Sequence, residues 1–150
     1  MQNIEEMYEK YSKIIYKYIF CLTKNHELSE EILQDTFLVA VKNIDKFEEK
    51  SKLTTWLCAI AKNIYYKRLN KDKKITNISI EDINSELSEE SFIEDLVCEK
   101  ESKLELIKHI QKFDNDTKNV MYLRIYAELS YEEIAEVMGK SRKLGKSYFL

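Results

Sequence analysis

Apolar side chains recur at three- and four-residue intervals in two long blocks of this chain, with a stretch between them where the period is lost. In the first block, Ile4, Met7, Tyr8, Tyr11, Ile15, Tyr18, Ile19 and Leu22 predict a helix over residues 4–23. Leu28, Ile32, Leu33, Phe37, Ala40, Val41 and Ile44 predict a second over 28–44, and Trp56, Leu57, Ile60, Ala61 and Ile64 a third over 54–70. Three striped helices of this kind can close one small core.

Between Asp72 and about Ser91 the composition turns short, polar and acidic, which reads as a linker. Its "ITNISI" alternates like a strand, but an isolated strand has no partner to pair with. The helical period returns at Phe92, and Leu96, Leu104, Ile107, Ile110 and Phe113 continue one face, with room for a break near Cys98. A further helix is predicted over Asn115–Ala127, with Val120, Met121, Leu123 and Ile125 turned inward. Ser130 with Glu133 three positions on forms a capping box for a short helix that buries Ile134, Ala135, Val137 and Met138. Gly139 is placed as its left-handed cap. The expected fold is therefore all-α: two small helical domains, 1–72 and 92–150, joined by an acidic linker at 73–91.

Composition narrows the picture. The 150 residues include no proline and two glycines, which favours short-linked helices over a many-stranded sheet. No apolar run is long enough to cross a membrane, and the acidic N-terminal twenty residues do not read as a signal peptide. Cys21, Cys58 and Cys98 are odd in number and widely spaced, as reduced cytoplasmic thiols would be. Together with His26 and His109 they form no metal-ligand spacing, so no metal or cofactor is expected. The net charge of -3 conceals a division. Residues 57–75 hold six cations against Asp72, whereas 76–100 hold eight acids against Lys100.

Three segments could carry function. "LSYEEIAEVMGKS" has a capped short helix, a small buried Ala135, a glycine and a new cap candidate in Ser141, the shape of the first helix and turn of a helix-turn-helix. A plain helical hairpin is the bland alternative. In the basic segment, Trp56, Tyr65 and Tyr66 are interleaved with Lys52, Lys62, Asn63, Lys67 and Arg68. Aromatic faces stack on unpaired bases while cations follow the backbone, each stacked base contributing roughly 1–3 kcal/mol. Trp56 could equally be a core residue, and the lysines a solvated helix end. Glu27, Glu30, Glu31, Gln34 and Asp35, with Lys42 beyond them, make a largely acidic face that repels DNA and suits a basic protein surface, or is simply solvated. No nucleophile arrangement or phosphate-cradling loop points to an enzyme.

At these places the chain resembles the extracytoplasmic-function sigma factors of bacteria. "ELSEEILQDTFLVAVKNIDKF" looks like the helix that binds the RNA polymerase clamp. "FEEKSKLTTWLCAIAKNIYYKRLNK" looks like the loop and helix that capture and melt the minus-ten element, and "YLRIYAELSYEEIAEVMGKS" like the start of the domain that reads the minus-thirty-five element. The resemblance implies that Glu31, Gln34 and Asp35 face the polymerase core. It implies that the segment from Phe47 to Thr54 pockets a flipped base. Lys52, Thr54, Trp56, Lys62, Asn63, Tyr66, Lys67 and Arg68 would contact promoter DNA, with Ser141 starting the second DNA-reading helix. The implied partners are core polymerase, promoter DNA and an anti-sigma factor, in the cytoplasm and with no reaction of the factor's own.

The ending departs from the family pattern. After Gly139-Lys140-Ser141 a recognition helix is expected, but "RKLGKSYFL" interrupts it with Gly145 and stops. The expectation is a second domain truncated or frame-shifted, with minus-thirty-five recognition impaired. The competing expectation is a helical module that binds polymerase or another protein without reading promoters.

Overall fold

In the computed structural model, residues 4–47, 52–75, 88, 91–92 and 101–139 are described, and the side chains of 72–75 and 101–104 lie outside that description. Helices α1 (Ile4–Thr23), α2 (His26–Asn43) and α3 (Leu53–Ile75) pack on one another pairwise, with one 3-10 turn (Ile44–Lys46) after α2. Helices α4 (Glu101–Ile110), α5 (Asn115–Ile125) and α6 (Tyr131–Met138) follow. No strand occurs among the described residues, and the "ITNISI" segment lies outside them.

The first three helices form where the apolar period places them, and their ends are set by polar groups that periodicity does not reveal. Helix α2 begins two residues before its stripe because the Asn25 side chain accepts from the Leu28 amide at 3.0 Å, satisfying a donor that the first turn leaves open. Asn25 sits in a buried knot: Thr23 Oγ1 lies 2.6 Å from Ser29 Oγ, and Ser29 Oγ donates to the Asn25 carbonyl at 2.6 Å. The bend itself is made at Lys24, whose φ of 54° is left-handed. Helix α3 continues past the predicted residue 70 to Ile75. Its last turns hold Lys71, Lys73 and Lys74, good helix formers whose charge suits a helix C-terminus.

In the second half, Asp114 caps α5 by accepting from the Thr117 amide at 2.7 Å. The capping box of α6 is complete: Ser130 Oγ accepts from the Glu133 amide at 3.2 Å, and Glu133 Oε1 accepts from the Ser130 amide at 2.9 Å. Gly139 closes α6 at a φ of 67°, a conformation side-chain-bearing residues rarely adopt. Phe113, expected on the inward face, is 49% exposed. Helix α4 stops at Ile110, and the Phe113 amide bonds back to the Ile110 carbonyl at 3.0 Å, which turns the chain before Phe113 can reach the core.

The two halves share one core. Phe92, Ile107, Ile110, Val120, Leu123, Leu129, Ile134 and Val137 belong to the same buried cluster as Ile15, Tyr18, Ile19, Ile32, Leu57 and Ala61. The Phe20 and Phe92 rings meet at 5.2 Å. Helix α6 packs along α3, and α5 touches α1. A polar bridge crosses the same seam. Asn119 of α5 is fully buried; its Oδ1 accepts from the Tyr18 hydroxyl of α1, and its Nδ2 donates to the Tyr66 hydroxyl of α3 at 3.3 Å. Burial is also why the Tyr18 phenol is held well above its ordinary pKa, with the Asn119 bond acting in the opposite direction.

Replacing Asn119 by Ala is expected to strand the Tyr18 hydroxyl in an apolar environment at a cost of about 1–3 kcal/mol. Urea unfolding of the two proteins would measure it, and an unchanged midpoint would show that the bridge contributes nothing.

Candidate nucleic-acid interface

Helix α3 offers a different chemistry on each of its sides. At 3.6 residues per turn, Trp56, Asn63 and Lys67 share one face, and Lys52 stands just before it. Lys52, Asn63 and Lys67 are exposed and Trp56 is half-buried. The indole packs against Phe47, with ring centres 5.0 Å apart and planes tilted by 39°. Trp56 thus combines a packing contact with partial exposure. Asn63 is tolerated mid-helix because its side chain points to solvent, where it does not compete with the buried backbone.

A second side of α3 meets the C-terminal half. Thr55 is buried and donates to Glu133 Oε2 at 2.9 Å, and Tyr66 receives the Asn119 bond. Tyr66 is thus half-buried at the seam, with Tyr65 edge-on at 5.1 Å, rather than standing free beside Asn63. Lys62 is half-buried on the same side, and Thr54 is half-buried near the helix start.

The third side faces α2. Leu57, Ala61 and Ile64 fill the inner stripe, and Arg68 ends it. Its guanidinium donates to Glu31 Oε2 at 2.9 Å and to the Asp35 carboxylate. Burial lowers the guanidinium pKa, but the two carboxylates outweigh it and the net shift is upward. Glu31 and Gln34 are exposed and Asp35 is half-buried, so all three keep a face toward solvent. The eight residues assigned to promoter contact are consequently brought onto one helix and its approach, but divided among three faces.

Two stretches of the expected interface lie outside the described residues: 48–51 of the expected base pocket, and Ser141 with everything that follows it. Cys98 lies outside as well, while Cys21 and Cys58 are buried free thiols. Burial first, and then the nearby Glu133 carboxylate, pushes the Cys58 thiol up to about 12, which makes it an inert packing residue. Among the described residues no group of His, Cys, Asp and Glu could hold a metal ion, and no helix is long and apolar enough to cross a membrane.

Sequence reasoning missed Tyr18, Thr55 and Asn119 as seam residues. The one signal was Asn119 itself, a poor helix former immediately before Val120 and Met121.

Residues 7–75 match the family described as Sigma-70 region 2. RNA polymerase sigma factor YlaC of Bacillus subtilis is 31% identical over 144 residues, covering 93% of this chain and 81% of that protein. ECF RNA polymerase sigma factor SigM of the same organism is 28% identical over 145 residues, covering 97% and 87%. Among solved structures, the sigma factor RpoE of Bartonella quintana, in complex with the anti-sigma factor NepR, superimposes with a TM-score of 0.72 at 20% identity, covering 96% of this chain and 88% of that one.

Glu133 ties the cap of α6 to the seam, and its titration reports on both. Burial raises its pKa, but the bonds from Ser130 and Thr55 and the charge of Lys52 outweigh this and lower it below the ordinary 4.5. A depressed carboxylate stabilises the fold above its unfolded pKa and loses that contribution as pH falls through the folded value. Acid unfolding of wild type is therefore expected to be steeper below about pH 4.5 than that of Glu133→Gln, which keeps the cap geometry but does not titrate. Superimposable acid-unfolding curves would remove Glu133 from the account.

Proposed function

The chain belongs to the extracytoplasmic-function sigma factors of the sigma-70 family, and from that premise we propose how its surfaces divide the work of initiation. The acidic face of α2, with Glu31, Gln34 and Asp35, docks on core RNA polymerase. Lys52, Trp56, Asn63 and Lys67, on the outward face of α3 and its approach, meet the minus-ten element. Thr54, Lys62, Tyr66 and Arg68 flank that face and contact the same DNA once the complex has formed. The observation that supports this best is the exposed face of α3, where cations and an amide surround one tilted indole.

The chemistry is that of recognition. Lysines follow the phosphates irrespective of sequence, and their contribution falls with salt. An indole edge can receive a base taken out of the duplex, and the stacking of roughly 1–3 kcal/mol is comparable to the few kcal/mol needed to unstack it. Nothing in this division requires a bond to be made or broken by the protein, so the factor carries no reaction of its own. Its place is the cytoplasm, where polymerase and promoter are. An anti-sigma factor is a further partner, in keeping with the complex formed by the solved RpoE relative.

Promoter-dependent transcription with core polymerase tests the reading. Wild type is expected to open its promoter, whereas Lys67→Glu should reduce open-complex formation on the order of tenfold, the equivalent of one lost charge-assisted contact of about 1.5 kcal/mol. Core binding by Lys67→Glu should be unaffected, since that face points away from α2. Equal promoter opening by both proteins would rule out the assignment of this face.

A further inference from the structure

The ion triad between α2 and α3 joins the two surfaces that the proposed function assigns to different partners. Arg68, on the DNA-contacting helix, holds Glu31 at 2.9 Å through Nη1 and Asp35 through Nη2. The two carboxylates are four residues apart, one helical turn, so a single planar guanidinium can span them. The side chains are 34%, 56% and 43% exposed, respectively, for Arg68, Glu31 and Asp35.

We propose that Arg68 is an exchangeable counter-ion. In the free chain it neutralises part of the acidic face. When polymerase brings its own basic side chains to Glu31 and Asp35, Arg68 is released toward the promoter phosphates. This inference rests on the division of surfaces proposed above.

Two physical facts favour exchange over a permanent brace. An ion pair this exposed shifts an equilibrium by no more than about fivefold, so it opens at little cost. Charge bookkeeping points the same way. Two carboxylates and one guanidinium present a net single negative charge to polymerase, and releasing Arg68 doubles it. The carboxylates likewise occupy both guanidinium arms that a phosphate would use. Because binding linkage is reciprocal, a promoter phosphate that captures Arg68 strengthens polymerase docking by the same factor. The triad would thus couple the two binding events without any movement of the helices.

The test is the sign of one affinity change. Binding of the full chain to core polymerase is measured by fluorescence anisotropy at low and high salt. Removing the internal competitor with Arg68→Gln is expected to tighten core binding about two- to fivefold at low salt, the gain shrinking as salt screens it. The same variant should weaken promoter capture by the assembled holoenzyme. If Arg68 were a brace that orients the carboxylates, the variant would bind core more weakly, and that result, or an unchanged affinity, overturns the proposal.

A second arm does not depend on the stability of that variant. Glu31→Gln/Asp35→Asn frees Arg68, and should raise the affinity of the chain alone for a forked promoter fragment. In an Arg68→Lys background, where the fork is absent, the gain should be smaller. Equal gains in both backgrounds would reduce the effect to lost negative charge and also overturn the exchange. Wild type that fails to bind core at all sinks the functional division itself. Wild type that binds normally while both arms fail sinks only the exchange.

Discussion

Asn119 has no solvent exposure and sits between two tyrosines from the other half of the chain, accepting from Tyr18 and donating to Tyr66. A buried amide satisfied in this way contributes modestly while intact and costs far more when half-satisfied. It therefore fixes the register of α5 against α1 and α3 more sharply than the surrounding apolar contacts could. Those contacts are non-directional, and the shared core, from Ile15 and Leu57 to Leu123 and Ile134, would tolerate small slides that the bridge does not. Two segments that periodicity treats as separate units thereby share a directional polar bridge as well as a buried cluster.

This arrangement places α3 at the centre of the molecule. Its inner sides are committed to α1, α2 and the C-terminal half, and the face with Asn63 and Lys67 looks outward. Thr55 and Tyr66, which flank that face, are engaged by Glu133 and Asn119.

Family membership decides between the two functional readings the sequence supported. A module that binds only protein is not favoured for a chain that matches sigma factors over nearly its whole length, including the basic helix. Taken alone, the acidic face of α2 is indistinguishable from a solvated surface; the proposed division makes it the polymerase side of the molecule, joined to α3 through the Arg68 triad.

Much of this protein follows from the order of its side chains. Helical periods located α1, α2, α3, α5 and α6, although α3 runs on past the predicted residue 70. The capping box at Ser130 and Glu133 and the left-handed glycine at 139 were legible because cap chemistry is local, settled within four residues. The left-handed turns at Lys24 and Glu128 were not, since neither residue type announces such a conformation. The family resemblance, too, lies in motif order along the chain. What only the tertiary structure decided is how distant residues spend their polar groups. Asn119 and Tyr18 are 101 positions apart, Thr55 and Glu133 are 78 apart, and Arg68 and Glu31 are 37 apart. Periodicity specifies which face of a helix is apolar, but not which other helix will cover it. That choice is made when all the faces compete for burial at once, and hydrogen bonds across the seam exist only after it has been made.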